Sequence, residues 1–362
     1  MRILIPYDIN TTGAKNPFLF LLMRDLLKLL EVEHIQHGYG WLYEELNPDI
    51  IHLHWPELLV KSRLSDMSQD HKLTETDFKA VTDALETMKK KGSSICVTVH
   101  NETPHKNSSA YHGFYSDIYR LCDGIIHMGK ASETIFEREF PGLSAGKHSA
   151  IIPHGDYSWF PADKPRETCR EWLGISEQEK LVLSFGAIRS KAELEMAVNA
   201  FKQADVNKAR YLMAGSLPSP YKSQLSHFTD RKILYANMFQ PAIQTYEEPI
   251  GRNDVQLFLK AADLLFIPRF NTLNSGNVAL GFTFGKVVIG PDYGVIGEML
   301  GATGNPVYDP YNSGSIAEAI QKGLELAAEN HGEKNRKYAE QNLGWENVAM
   351  KTSDLYQKIL KG

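Results

Sequence analysis

A chain of 362 residues, 43% hydrophobic and 23% charged, holds enough apolar material for two globular cores. Its formal net charge of −5, without any block of like charge, excludes the electrostatic footprint of a nucleic-acid binder. The three cysteines, Cys96, Cys122 and Cys169, are scattered and form no Cys-x-x-Cys pair, which excludes a disulfide framework and a zinc site and fits a reducing, cytoplasmic setting.

The chain starts Met1-Arg-Ile-Leu-Ile-Pro, which reads as a strand over Arg2–Pro6 rather than as a signal peptide. The most apolar stretch, Pro17–Leu30, is interrupted by Arg24, Asp25 and Lys28 and is too short and too charged to span a bilayer. Phe18, Phe20, Leu21 and Leu22 lie there beside Lys15 and Arg24. They allow two readings: the first buried helix of the fold, or a helix resting on the inner face of a membrane. Strands are predicted at Ile50–His54, Ile95–Val99, Gly124–Met128 and Ala150–Ile152, and helices at Thr74–Lys91, Ser108–Leu121 and Lys130–Glu139. Thr74 and Asp77 have capping-box spacing, and Gly92 closes that helix.

Residues Asp156–Arg166 hold Trp159, Pro161 and Pro165 without an apolar period and read as a linker. The pattern then restarts. Strands are predicted at Leu181–Phe185, Arg210–Ala214, Lys232–Tyr235, Leu264–Pro268 and Val287–Gly290. Helices are predicted at Lys191–Gln203, Asn253–Ala262, Gly276–Phe284 and Ser315–Ala328, with capping-box spacing at Asn253/Gln256 and Ser315/Glu318. Trp345–Leu360 reads as one amphipathic helix. The expected fold class is α/β. Two Rossmann-like, doubly wound parallel-sheet domains, 1–160 and 161–344, are followed by a helix at 345–362 that packs back on the first. Their ligands are expected at the carboxyl ends of the strands, in a central cleft that the domains face.

Three segments could carry chemistry. After the strand Leu264–Pro268 comes Arg269-Phe-Asn-Thr-Leu-Asn-Ser-Gly-Asn, which places Asn274, Ser275, Gly276 and Asn277 at a helix N-terminus. Free backbone N–H groups and the dipole make that an anion site; the same residues also suit a plain helix cap. In Ser184-Phe-Gly-Ala-Ile-Arg-Ser-Lys, Gly186 permits a close turn, and Arg189 and Lys191 could meet phosphate. Alternatively the two charges are a solvated pair. In Thr98-Val-His-Asn-Glu, His100 ends a strand and could act as a base or bond a sugar hydroxyl. A single such histidine is usually structural, but His52, His54, His127 and His154 also lie at or near strand ends, and a cluster on one rim would mean more. No His-Glu-x-x-His, Gly-x-Gly-x-x-Gly, P-loop or Gly-x-Ser-x-Gly pattern occurs where its chemistry would need it.

Seven short pieces then stand in order over nearly the whole chain. They are Asp49-Ile-Ile-His-Leu-His, Thr98-Val-His-Asn, Asp123-Gly-Ile-Ile-His, Ile152-Pro-His-Gly, Phe185-Gly-Ala-Ile-Arg, Asp254-Val-Gln through Asp263-Leu-Leu-Phe-Ile-Pro, and Asn274-Ser-Gly-Asn through Phe284-Gly-Lys-Val-Val-Ile-Gly-Pro. Together they resemble the GT-B glycosyltransferases, particularly retaining family 4 and related bacterial exopolysaccharide enzymes. The resemblance implies a UDP- or GDP-sugar donor held mainly by the second domain, a glycan or lipid-linked acceptor, and no required metal or other cofactor. It implies donor contacts at Gly186, Arg189, Lys191, Asn274, Ser275, Gly276 and Asn277. His100 is the expected catalytic residue, with sugar or acceptor contacts at Asn16, Asn101, Glu102 and His154. Two departures stand out. Where the family carries a pair of glutamates eight positions apart, this chain has Thr272 and Leu280; where it carries a lysine after the arginine of the glycine turn, this chain has Ala192 beside Lys191.

Overall fold

The computed structural model describes residues 1–7, 17–38, 47–63, 74–101, 108–218 and 242–362. They fold as two compact units, one of Met1–Gly155 with Gly344–Gly362, the other of Asp156–Leu343.

The first unit contains strands β1 (Arg2–Ile5), β2 (His34–His37), β3 (Ile50–Leu53), β4 (Ser94–Val99), β5 (Gly124–His127) and β6 (His148–Ile151). They form one sheet in the order β2-β1-β3-β4-β5-β6, and each pair is parallel. Ile50, Ile51, Leu53, Ile95, Cys96 and Val97 are all buried, the mark of a sheet covered on both faces. The helix Phe18–Leu26 buries Phe18, Leu19, Leu21, Leu22 and Leu26 against this core. Its apolar face is therefore spent inside the protein, which removes the motive for reading it as a membrane-surface helix; Lys15 lies outside the described residues. Among the described residues no helix is long and apolar enough to cross a membrane.

The second unit contains β7 (Lys180–Phe185), β8 (Ala209–Ala214), β9 (Ile243–Tyr246), β10 (Leu264–Phe266), β11 (Val287–Pro291) and β12 (Val307–Tyr308). The order is β12-β11-β10-β7-β8-β9, again with parallel pairing. Alternation along β7 shows both faces in use. Leu181 and Leu183 pack with Phe258 and Phe282, whereas Val182 packs with Leu194, Phe201 and Ile320 on the other side. The strand expected at Lys232–Tyr235 lies outside the described residues.

Several boundaries differ from the sequence reading. The units divide at Gly155/Asp156, before Trp159. Asp156 N–H donates to the Leu343 carbonyl at 2.7 Å, and Tyr157 stacks on Phe160 inside the second core. The predicted linker is thus an irregular but packed segment, and a helix begins at Arg166. The helix after Asn253 is capped at Asp254, and Gln256 Nε2 donates to the Asn253 carbonyl, so no capping box forms there. The helix expected from Ser315 starts at Ser313, because Asn312 accepts from Gly314 and Ser315 N–H. At Thr74 the expected reciprocal cap is present, with Thr74 N–H donating to the Asp77 carboxylate at 2.8 Å.

Candidate active site

In the first unit, imidazoles collect at the carboxyl ends of β3 and β4. His52 lies within β3; its Nδ1 is 2.6 Å from the Tyr356 hydroxyl and its Nε2 2.8 Å from Thr98 Oγ1. His54 and Trp55 follow β3, and both backbone N–H groups donate to the Tyr7 hydroxyl at 3.0 Å. His100 follows β4 and stacks on Trp55 with ring centres 4.3 Å apart. Its Nε2 is 2.9 Å from His54 Nδ1. Phe18 sets its ring edge-on against His54, His100, His154 and Trp345. Trp345 starts the C-terminal helix and lies over Gly155, where a Cβ would come 2.2 Å from the indole, so only glycine admits this packing.

Burial governs the charge of this cluster. It holds His52 down to about 3 and His154 down to about 4. His54 and His100 are pushed well below the ordinary histidine range, first by burial and then by neighbouring imidazoles. All four are neutral at pH 7, so each has one N–H and one lone pair. For His154 the assignment is fixed. Its Nδ1 lies 2.7 Å from the Gly155 carbonyl, which can only accept, so Nε2 carries the lone pair. Of the histidines singled out in the sequence, His127 stands apart and pairs with Ser132 Oγ at 3.2 Å. Asn101 is half-buried after His100. Asn16 and Glu102 lie outside the described residues.

In the second unit two loops meet at the ends of β7 and β10. Gly186 turns the chain with φ +92°. Gly215, with φ +144°, passes so close that a Cβ on it would lie 2.2 Å from the Gly186 carbonyl oxygen. Ser190 caps the helix Lys191–Ala204 by accepting from Glu193 N–H. Glu193 is buried, and its carboxylate accepts from Arg189 N–H at 2.7 Å and from Arg269 Nη1 at 3.0 Å. Arg269 also donates to the Ala187 and Pro268 carbonyls, which stitches the β10 loop to the glycine turn. Arg189 is exposed as a residue, yet partial desolvation of its guanidinium and the nearby Arg269 push it down to about 10, against the pull of Glu193. It stays charged at neutral pH.

Lys191 lies beside Glu195 one turn along its own helix, at 3.7 Å. The second guanidinium of the loop comes instead from Arg269, which the sequence reading did not select. Ser275 caps the helix Gly276–Thr283 and accepts from Asn277 N–H at 3.3 Å, while Asn277 Nδ2 donates to the Phe185 carbonyl at 2.6 Å. Both residues thus build the helix start, and Asn274 is half-buried at its entrance. The loops gather two arginines, of which Arg269 is buried, and the first N–H groups of a capped helix, the groups an anion site is built from. A cavity of about 490 Å³ at the ends of β11 and β12 is lined by Asp292, Asp309, Tyr308 and Tyr311, and its carboxylates suit it poorly to phosphate. Thr272 and Leu280 are 5% and 3% exposed, so neither place presents a carboxylate. Among the described residues no group of three His, Cys, Asp or Glu side chains could hold a metal ion.

Two Rossmann-like units, each gathering polar groups at the carboxyl ends of its strands, give the chain the fold of the GT-B glycosyltransferases. Solved structures similar to it include sucrose-phosphate synthase from Thermosynechococcus elongatus, with a TM-score of 0.67, 15% identity, and coverage of 99% of this chain and 89% of that one. Anabaena HepE, solved with UDP and glucose, gives 0.66 and 14% over 99% of this chain and 100% of that one. WaaG, a glycosyltransferase of lipopolysaccharide biosynthesis, gives 0.63 and 14% over 98% and 99%. No protein-family model matches the chain, and no curated protein matches its sequence.

Proposed function

We propose that the chain is a glycosyltransferase that takes a sugar from a UDP- or GDP-sugar and passes it to a glycan or lipid-linked acceptor in surface polysaccharide synthesis, in the cytoplasm. The observation that carries this reading is the Arg269 guanidinium paired with Glu193, whose carboxylate also accepts from the Arg189 backbone N–H, so that two arginines meet beside a glycine turn and a capped helix start. Negative charge grows on the diphosphate as the glycosidic bond breaks. Preorganised donors that are already in place stabilise it without reorganising, and this grip does not call for a metal. His100 is the residue proposed to meet the reacting sugar or acceptor hydroxyl. Similarity to HepE, solved with UDP and with UDP-glucose, makes uridine nucleotides the first to try.

A second reading is a nucleotide-sugar or glycan-binding partner without activity of its own. It is favoured by one observation, the burial of Leu280 and Thr272 where the resemblance leads one to expect carboxylates. Two measurements separate the readings. A nucleotide that binds the folded state raises the melting temperature, and a glycosyltransferase releases UDP or GDP from its donor when an acceptor is present. A melting shift without release supports the silent partner. Neither shift nor release with any UDP- or GDP-sugar would sink both.

A further inference from the structure

The cavity of about 490 Å³ at the ends of β11 and β12 shares none of its lining with Arg189, Arg269 or the helix start at Ser275. The chain leaves β12 through Asp309-Pro-Tyr-Asn, a turn held by its own hydrogen bonds. Asp309 Oδ1 accepts from Tyr311 N–H at 2.9 Å, Asp309 N–H donates to Ser315 Oγ at 3.0 Å, and Asn312 caps the helix that follows. Pro310 is buried within the turn and its ring fixes φ. On this rigid support Tyr311 is 72% exposed, a large ring given over to solvent. Phe270 backs it from the β10 loop, with ring centres 5.5 Å apart.

The polar groups beside this aromatic pair are mostly acceptors. Asp292 and Asp309 bring carboxylates, Asn271 an amide and Ser315 a hydroxyl, and no lining residue is cationic. The two carboxylates are nonetheless partly compensated. Asp292 Oδ1 lies against the N-terminal turn of the helix Gly294–Ala302, 2.9 Å from where a Cβ on Gly297 would stand, and Asp309 holds the Tyr311 N–H. What the cavity lacks is therefore donors more than positive charge. A pyranose supplies them: its neighbouring hydroxyls donate to carboxylates, while its C–H face packs on an aromatic ring. We propose that this cavity is a subsite for a neutral saccharide, with Tyr311 as its stacking platform and Asp292 and Asp309 as acceptors of ring hydroxyls. Its volume falls in the range of about 300–1,000 Å³ usual for small-ligand sites. The site stands on this geometry; its role, retaining a glycan on the unit that grips the donor, rests on the glycosyl-transfer reading above.

The test is amide-shift mapping on the isotopically labelled full chain, titrated with the methyl glycosides of glucose, galactose, mannose and N-acetylglucosamine, and with spermidine as a cationic control. The expected result is saturable shifts at Asn271, Tyr311 and Ser315 with at least one glycoside and none with spermidine. Tyr311→Ala should weaken that binding about 2–10-fold, the worth of an aromatic contact. Asp292→Asn keeps the shape and should weaken it about 10–100-fold, as for hydrogen bonds to a charged group. Neither change should move UDP or GDP affinity by more than about twofold, as for independent sites. Both side chains are exposed, and Asp292→Asn decides if Tyr311→Ala does not fold. Absence of glycoside shifts at these residues, or shifts with spermidine alone, overturns the proposal, and so does a glycoside that binds both variants as tightly as the parent. A parent that binds a glycoside here but transfers no sugar keeps the site and removes its role; a parent that transfers sugar but binds none removes the site alone.

Discussion

Changing Glu193 to glutamine should move stability and nucleotide affinity in opposite directions. The carboxylate is 6% exposed and accepts from Arg269 and from Arg189 N–H. Both bonds reach the same oxygen, Oε2, so the amide oxygen of glutamine can keep both but cannot neutralise Arg269. Stripping one partner from a buried ion pair costs about 3–5 kcal/mol, and the surviving hydrogen bonds place the expected cost near the bottom of that range. In a unit of this size about 3 kcal/mol lowers the melting temperature by roughly 6–12 °C. A bound diphosphate, by contrast, would face two guanidiniums without their counterion. UDP or GDP affinity should hold or tighten, and should weaken more steeply with added salt. Thermal melts, beside calorimetry at two ionic strengths, read both effects. A lost affinity at unchanged melting temperature would refute the reasoning, because Glu193 would then touch the ligand instead of organising the loop.

Arg189→Ala should weaken binding of the preferred nucleoside diphosphate by about 1.5–3 kcal/mol, the worth of a hydrogen bond to a charged group, and calorimetry checks it. His100→Ala should lower kcat about 10²–10⁴-fold, as for loss of a positioned acid–base group, while donor binding by titration stays near normal; unchanged turnover would make His100 a packing residue. Gly215→Ala should leave the second unit unstable or its β7 loop displaced, since the new Cβ meets the Gly186 carbonyl and the φ of +144° is strained for alanine; a normal melt would contradict the close approach. Acid should destabilise the protein. His52, His127 and His154 sit at about 3, about 4 and about 4, below the histidine value of the unfolded chain, so the unfolded state binds more protons below about pH 6.5. Stability is then lost from about pH 6.5 down to about pH 4 for His127 and His154 and about pH 3 for His52, by up to about 1.4 kcal/mol per pH unit for each ring, and urea melts at pH 7.5, 6 and 5 would show a flat line if the rings are protonated in the fold.

The strands legible in the sequence were those whose residues are apolar at nearly every position, such as Ile50–Leu53 and Leu264–Phe266, because a strand buried on both faces leaves a near-continuous run. The edge strands His34–His37 and Ile243–Tyr246 read His-Ile-Gln-His and Ile-Gln-Thr-Tyr, too polar and too short to stand out. The helix Gly294–Ala302 was hidden by its three glycines, and Gly332–Asn342 by its low apolar content. Within the candidate site, the glycine turn and the histidine at a strand end were visible as local motifs. Trp345, Arg269 and Glu193 were not. Their roles come from neighbours far along the chain, as in the 76 positions between Glu193 and Arg269. An arginine directly after a buried strand was the one local signal that could have drawn attention to Arg269.

The helix Trp345–Lys361 belongs to the unit that begins the chain, and this sets an order on folding during synthesis. Tyr356, which holds His52, is made 304 residues after it, and at ribosomal speed that is a delay of roughly 15–60 s. The helix side chains fill places nothing else takes: Ile359 lies over Gly124, and Trp345 over Gly155. Until they emerge, the first sheet waits with His52, Cys96 and Gly124 uncovered on that face, while the second unit, contiguous from Asp156 to Leu343, has everything it needs to close. The part of the protein made first is thus the part finished last. A nascent chain arrested before residue 344 would carry a completed second unit behind an open, aggregation-prone sheet, the kind of surface that holding chaperones bind.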